Sequence, residues 1–382
     1  MSRTSTATLI DEKEDVVYYH SGSTPTYRKV AASPSRQGNF TSIPIIDLVN
    51  IDSPDLDDRK AIARELYEAC STAGFFYITN HGVSPTTPKT IFATLKRFFD
   101  LPLSTKMTAH LHKNPAIRGY EPMLETKLDP RTPGDLKEAF TIGDCVLEPE
   151  QDYRSKTGHA PPARIKNPQN IWPSQTPWFR EAMYAYYAAI YPLAVKLVRL
   201  FALAFDLEES AFDNIFTFPI WGLRALHYPP LPTNPSHTTG LGAHADFSWI
   251  TLVLQDTVPG LEVLNANGVW IAAPPKPGTF VCNVGQYLEK QTNGVFPATV
   301  HRVRNVTGER RYSIPFFLTP DPGAEVAALE SCVREGEARP EAVRVGELYV
   351  RRVLAARKRH PTSVRLRDVP EAEWGYEVLY GE

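Results

Sequence analysis

The sequence predicts a mixed α and β protein, with a helical region in its N-terminal half, a β sandwich or barrel beyond it, and a C-terminal helix. Three observations carry this. Apolar residues keep helical spacing in long stretches before residue 206. Beyond Phe218 the pattern changes to short β runs separated by turn residues about every eight to twelve positions, the signature of a sandwich or barrel. The tail segment EAVRVGELYVRRVLAARKRH then returns to a helical, amphipathic pattern.

The elements follow in order. Residues 1 to 40 are rich in Ser, Thr and Arg without apolar period and read as an arm with little order of its own. SIPIIDL, from Ser42, reads as a first short strand. From Leu56 to Thr72, Ile62, Leu66, Ala69 and Cys70 keep helical spacing, and Gly74 stands where a C-cap glycine ends a helix. GFFYITNHGV is a buried strand and turn. A second helix near Thr87 to Phe99 puts Ile91, Leu95, Phe98 and Phe99 on one face before Pro102. Ala116 to Pro177 is rich in Pro, Gly and charge and reads as loops, with RGYEPM and GDLKEAFTIG as islands. A long helix, Trp178 to Phe205, is expected to kink at Pro192.

The β runs are WGLRALHYPP, AHADFSWITLVLQD, GLEVL, GVWIAAPP, GTFVCNVG, ATVHRV and RYSIPFFL, with Asn267-Gly268 as a hairpin signal. The tail helix reads as packed on the barrel with its charged face in solvent. The regions expected are therefore an arm (1–40), an N-terminal helical and loop region (41–175), a helix with the catalytic β core (176–320) and a helical tail (321–382).

Composition narrows the function classes. The 382 residues are 42% hydrophobic and 22% charged, with a formal net charge of -2, so no overall balance or long basic block favours nucleic acid. No N-terminal h-region suggests secretion, and the apolar stretch Ala182–Phe205 contains Lys196, Arg199 and Pro192, which reads as a buried helix rather than a bilayer span. A cytoplasmic protein without membrane partners is expected. Cys70, Cys145, Cys282 and Cys332 have no C-x-x-C spacing and read as reduced thiols.

The chemistry begins at LGAHADFSWITLVLQD, where His244 and Asp246 head an apolar run. Two apart on a strand, they would share a face, and water or an ion must satisfy them. One such pair is weak, but His301 in ATVHRVRN lies in another alternating segment. Two His and one carboxylate on barrel walls make a facial triad, a set that favours Fe(II) over structural zinc. In Arg311-Tyr312-Ser313, Arg311 and Ser313 share a strand face, and a guanidinium inside a barrel calls for an anion, most naturally a carboxylate.

The order His-x-Asp, about 55 residues, His, ten residues, Arg-x-Ser resembles the Fe(II)/2-oxoglutarate-dependent oxygenases of the isopenicillin N synthase-like group, as do IPIIDL, GFFYITNHGV, FFDLP, RGYEPM and GDLKEAFTIG. The resemblance covers Ser42 to about Pro320. It implies a distorted double-stranded β-helix, a cupin-like jelly roll. It also implies iron on His244, Asp246 and His301, and 2-oxoglutarate on Arg311 and Ser313. Tyr228 in LHYPP falls where the family often places a carboxylate-contacting tyrosine, although the common Asn-Tyr-Tyr-Pro is here Leu-His-Tyr-Pro.

The implied reaction couples oxidative decarboxylation of 2-oxoglutarate, with O2, to C–H oxidation of a small molecule by hydroxylation, desaturation or cyclisation, in specialised metabolism, with ascorbate as an optional reductant and a monomer or weak homo-oligomer as the working unit. The alternatives are a 2-oxoglutarate-independent oxidase like isopenicillin N synthase, and a silent binding protein of the same fold. Bland readings stand beside these. His227 is structural; His81, His110 and His112 are turn or surface residues; Phe247, Trp249 and Phe317 line the substrate pocket or the core, with core preferred for any one of them; Lys137–Glu138 is a solvated pair; and Arg311 has Asp321 as its competing partner.

Overall fold

The computed structural model describes residues 16–20, 25–29, 40–128, 134–143, 170–230, 240–305 and 307–380. The first half contains β1 (Val16–His20), β2 (Pro25–Lys29), β3 (Ile45–Asp47), α1 (Leu56–Thr72), β4 (Phe75–Thr79), α2 (Thr86–Phe99), α3 (Leu103–Met107), β5 (Gly119–Glu121), β6 (Glu138–Gly143) and α4 (Pro177–Ala204). Then come β7 (Ile220–Tyr228), β8 (Leu241–His244), β9 (Ile250–Gln255), β10 (Leu261–Leu264), β11 (Trp270–Ala272), β12 (Phe280–Val284) and α5 (Gln286–Gln291). The chain closes with β13 (His301–Val303), β14 (Arg311–Thr319), β15 (Glu325–Val326), β16 (Val343–Arg344), α6 (Val345–Ala355) and α7 (Pro361–Arg365).

Two sheets dominate. One has eight strands in the order β3-β4-β12-β9-β14-β7-β6-β5, the other six in the order β11-β10-β13-β8-β1-β2. Strand parity in the larger sheet sorts its side chains into two sets. Tyr312, Ile314, Phe316 and Leu318 of β14, with Leu223 and Ala225 of β7, join the core under α1, α2 and α4. The alternate set, including Leu226, Tyr228 and Val281, packs instead with Leu241, Leu261, Val263 and Val303 of the smaller sheet. Arg311, Ser313, Thr251 and Arg224 belong by parity to this second, inter-sheet face.

The helical core is built as the apolar spacing requires. Asp55 caps α1, accepting from the Asp57 amide at 2.9 Å. Its end is set by Gly74 at φ +65, where an added Cβ would meet the Pro297 carbonyl oxygen at 2.3 Å. By length and composition α4 could cross a membrane, yet 56% of its most apolar window is buried within the structure, where it packs on α1 and α2. Pro192 lies on its exposed side and the helix runs on through it, because water can serve the carbonyl whose partner amide is missing.

Three expectations are corrected and a fourth is refined. The arm contributes β1 and β2, which pair with each other, and β1 adds in parallel to β8, with His20 opposite His244. The segment expected as loops supplies β5 and β6, the outermost strands of the larger sheet. AHADFSWITLVLQD is two strands, β8 and β9, broken over 245–249. Asn267-Gly268 does sit in a hairpin, but as a five-residue connection in which Asn265 Oδ1 accepts from the amides of Asn267 and Val269 at 3.1 and 2.9 Å. Cys70, Cys282 and Cys332 are free and buried; Cys145 lies outside the described residues.

Candidate metal centre and its two chambers

His244 is the last residue of β8, and His301 the first of β13, directly opposite it. Asp246 is not on the same strand as His244. It sits in the break before β9, where the backbone has left the ladder, so the carboxylate is brought beside the imidazoles by the turn and not by strand parity. One ligand atom from each of the three lies within 4.8 Å of the others. Asp246 Oδ1 is 3.5 Å from His244 Nε2 and 3.7 Å from His301 Nε2.

Hydrogen bonds behind the three residues orient them. His244 Nδ1 donates to the Gly242 carbonyl at 2.8 Å, and His301 Nδ1 to the Thr299 carbonyl at 3.1 Å. With the proton on Nδ1, each ring keeps the Nε2 lone pair for a ligand. Thr251 Oγ1 and Asn283 Nδ2 donate to Asp246 Oδ2 at 2.7 and 2.8 Å, which leaves Oδ1 toward the imidazoles. Burial opposes the Asp246 charge, but the two histidines and these donors outweigh it and hold the carboxyl well below its usual range. Burial, then His244, pushes His301 down to about 4, against the opposing pull of Asp246.

On the same inter-sheet face, Arg311 is 1% exposed and yet has no ion pair among the described residues. Its Nε donates to the Val258 carbonyl at 3.2 Å, Nη1 to Ser313 Oγ at 3.3 Å and Nη2 to Gln255 Oε1 at 2.8 Å. Its guanidinium lies 5.0 Å from the centre of the Tyr228 ring, and the buried Tyr228 hydroxyl, beside Ser313, has no hydrogen-bond partner of good geometry among the described residues. Asp321, the competing partner considered from sequence, accepts instead from Thr217 and Phe218. A buried cation and an orphan hydroxyl flanking Ser313 fit an oxyanion, and a donor set of two imidazoles and a carboxylate fits Fe(II).

These groups line two cavities. An inner one of about 60 Å³ holds Arg311, Ser313, Tyr228 and all three triad residues. An outer one of about 140 Å³ opens beyond His244 and Asp246. The cavities share Arg224, Leu241, His244, Asp246 and Phe317, so they meet at the triad.

Other sequence expectations sort as follows. His227 is structural: its Nδ1 pairs with Glu138 Oε1 at 2.7 Å on the helix-facing side. Trp249 is core, fully buried with its indole nitrogen donating to Gln291 at 2.6 Å. Phe247 and Phe317, expected as core, line the outer chamber. Lys137 and Glu138 are not solvated. Lys137 pairs with Glu121 and Glu138 with Lys106, on opposite faces of the sheet's end, and both residues are buried. His110 and His112 are half-buried, with His112 Nε2 2.6 Å from Glu125 Oε1, and His81 packs edge-on against Phe280. The tail helix is not polar to solvent alone: Tyr349, Arg352, Val353 and Ala356 form one face of α6 and its C-cap over the outer chamber.

Sequence reasoning missed Thr251, Asn283, Arg224, Arg352 and Arg357. Arg224 carried a usable signal, since it precedes Tyr228 by four on one strand and so shares its face. Asn283 carried none, because its role depends on β12 lying beside β9.

Comparison with known proteins gives a consistent result. A model described as "non-haem dioxygenase in morphine synthesis N-terminal" matches residues 43–175, and one for the "2OG-Fe(II) oxygenase superfamily" matches residues 221–320. The chain is 35% identical over 353 residues to a 2-oxoglutarate-Fe(II) type oxidoreductase, ppzC, of Metarhizium majus, covering 87% of this chain and 92% of that protein. It is 34% identical to a homoarginine-6-hydroxylase of Oryza sativa subsp. japonica, covering 83% and 98%. Among solved structures, a full-length Neurospora crassa protein in complex with alpha-KG and thymine superposes with a TM-score of 0.71 at 27% identity, covering 84% of this chain and 99% of that one.

Proposed function

Since the chain belongs to the 2OG-Fe(II) oxygenase superfamily and is an Fe(II)/2-oxoglutarate-dependent dioxygenase, we propose that His244, Asp246 and His301 hold its iron and that it hydroxylates a small molecule held in the outer chamber. Arg311, with Ser313 and Tyr228, takes the distal carboxylate of 2-oxoglutarate in the inner chamber. The observation that carries this is the pairing of a three-donor cluster with a buried, ion-pair-free arginine across one small cavity.

Bound iron and 2-oxoglutarate supply the activation of O2, with the co-substrate leaving as succinate and CO2. The chain's own part is orientation. His244 and His301 keep their protons on Nδ1 and present Nε2. Thr251 and Asn283 hold one oxygen of Asp246 so that the other faces the imidazoles. Arg311 fixes the far end of the co-substrate by charge-assisted bonds and Tyr228 offers a further donor. Phe317 and Leu241 at the junction of the chambers, with Phe247 in the outer one, keep water from the site.

Hydroxylation is preferred to desaturation or ring closure because the rice relative is named a hydroxylase. We take the two packed sheets as the halves of a distorted jelly roll, and specialised metabolism in the cytoplasm as the setting that suits the family. The names of the relatives favour 2-oxoglutarate over the oxidase alternative.

Anaerobic titration of 2-oxoglutarate into the Fe(II)-loaded protein, followed by the visible charge-transfer absorption of the chelate, tests the assignment. Arg311→Ala should weaken binding by about 2–5 kcal/mol, because it removes the partner of a buried carboxylate. Unchanged affinity in that variant would overturn the placement of 2-oxoglutarate.

A further inference from the structure

The outer chamber has a cationic wall that the iron and 2-oxoglutarate chemistry does not use. Arg352 and Arg357 line it from the C-terminal helix and the turn that follows, and Arg224 stands at its junction with the inner chamber. Among the described residues each guanidinium is held by Nη2 alone: Arg224 on Glu121 at 2.8 and 2.9 Å, Arg352 on Gln286 at 2.5 Å, and Arg357 on Glu121 at 3.5 Å. The Nε of all three is buried with no acceptor among the described residues. A guanidinium offers five donors in a planar fork, so most of this capacity is unspent.

Charge points the same way. Glu121 is shared by Lys137, Arg224 and Arg357, and burial, then Arg224 and Arg357, pushes Lys137 well down. Other carboxylates act on the same arginines, Asp135 and Asp246 on Arg224, Glu125 on Arg357 and Glu289 on Arg352, but none of these four makes an ion pair with Arg352 or Arg357 among the described residues, Glu125 is bound to His112, and burial raises Glu289. Burial, then Arg224, pushes Arg357 down to about 9, and burial pushes Arg352 down to about 10. A second anion would relieve this crowding. Apolar side chains make much of the remaining wall, Ile117, Leu128, Ile220, Phe247, Phe317 and Val353 among them, with Arg118, Thr126, Thr141, Ser248 and Thr319 as its polar members.

We propose that the substrate is a small carboxylic acid with an apolar, ring-sized body, its carboxylate bound by Arg352 and Arg357 with Arg224 beside them, and its reacting carbon turned toward His244 and Asp246 between Phe247 and Phe317. A cavity of about 140 Å³ suits one ring, since an engineered void of about 150 Å³ accepts benzene. This deepens the function proposed above and rests on it for the direction in which the reacting carbon faces. The two carboxylates of the reaction are then kept apart, co-substrate at Arg311 and substrate at the tail-helix arginines.

The test is calorimetry on the full chain with Mn(II) and saturating 2-oxoglutarate, so that the Arg311 chamber is filled, using benzoate as probe and benzamide as its neutral counterpart. Benzoate should bind, with benzamide weaker by about tenfold or more. Arg352→Gln and Arg357→Gln should each weaken benzoate by about tenfold or more while leaving 2-oxoglutarate affinity as it was, which also reports that the variants fold. Arg352→Gln alone is sufficient if Arg357→Gln does not fold, because among the described residues Arg352 is hydrogen-bonded to Gln286 alone. No binding of benzoate, equal binding of acid and amide, or undiminished binding in Arg352→Gln would overturn the proposal. Loss of 2-oxoglutarate binding with arginine-dependent benzoate binding intact would instead refute the co-substrate assignment and leave this one standing.

Discussion

Asp246 is held from behind by Thr251 and Asn283, and these two decide where its free oxygen points. Asn283→Ala should therefore lower affinity for Fe(II) or Mn(II) by about 10- to 100-fold, the range for partners that orient a metal ligand. A metal titration giving the wild-type constant would mean that the turn before β9 fixes the carboxylate unaided. The triad and Arg311 were legible because their spacing survives in one dimension. His-x-Asp, His301 and Arg-x-Ser can be read along the chain without knowing which strand lies beside which. Asn283 could not be read so, since it meets Asp246 only through the register of β9 against β12, and Thr251, five residues on, meets it only through the turn that leads into β9. Arg352 and Arg357 were hidden for another reason: a basic amphipathic helix has the same pattern whether its arginines meet water or a cavity.

At the scale of elements, the end of the larger sheet is tied together by Glu138 on β6. It accepts from Lys106 on α3 at 2.7 Å, from Tyr120 on β5 at 2.5 Å and from His227 on β7 at 2.7 Å. Burial raises its pKa, but the bonds from His227, Lys106 and Tyr120 outweigh this and leave it below the ordinary value. A depressed folded pKa stabilises the fold above the unfolded value near 4.5 and loses that contribution as pH falls through the folded value. Glu138→Gln should accordingly destabilise at neutral pH, and urea unfolding should show the difference from wild type shrinking below about pH 4–5. A difference independent of pH would mean that the donors need only an oxygen there, not a charge. This element was misread as loop because β5 is three residues long and Lys137–Glu138 looks like a surface pair. By contrast α1, with a cap at one end and Gly74 beyond the other, occupies Leu56–Thr72 as its spacing indicates.

For the whole molecule, the strand that carries His244 would be an edge of the smaller sheet were it not covered by β1. A chain cut back to residue 40 should expose the backbone donors and acceptors of β8 beside the candidate metal centre, and self-associate in a concentration-dependent way by size-exclusion chromatography. A strictly monomeric trimmed chain would mean that another segment protects that edge. The same pairing orders events in time. β1 leaves the ribosome first, yet its partner is made more than two hundred residues later, His20 meeting His244. The β1–β2 pair can form early, but its other edge therefore has to wait for β8 through more than two hundred residues of synthesis. Closure of this sheet, with its candidate iron ligand shielded, becomes one of the last steps of folding, and a late, long-range contact of this kind is a slow one.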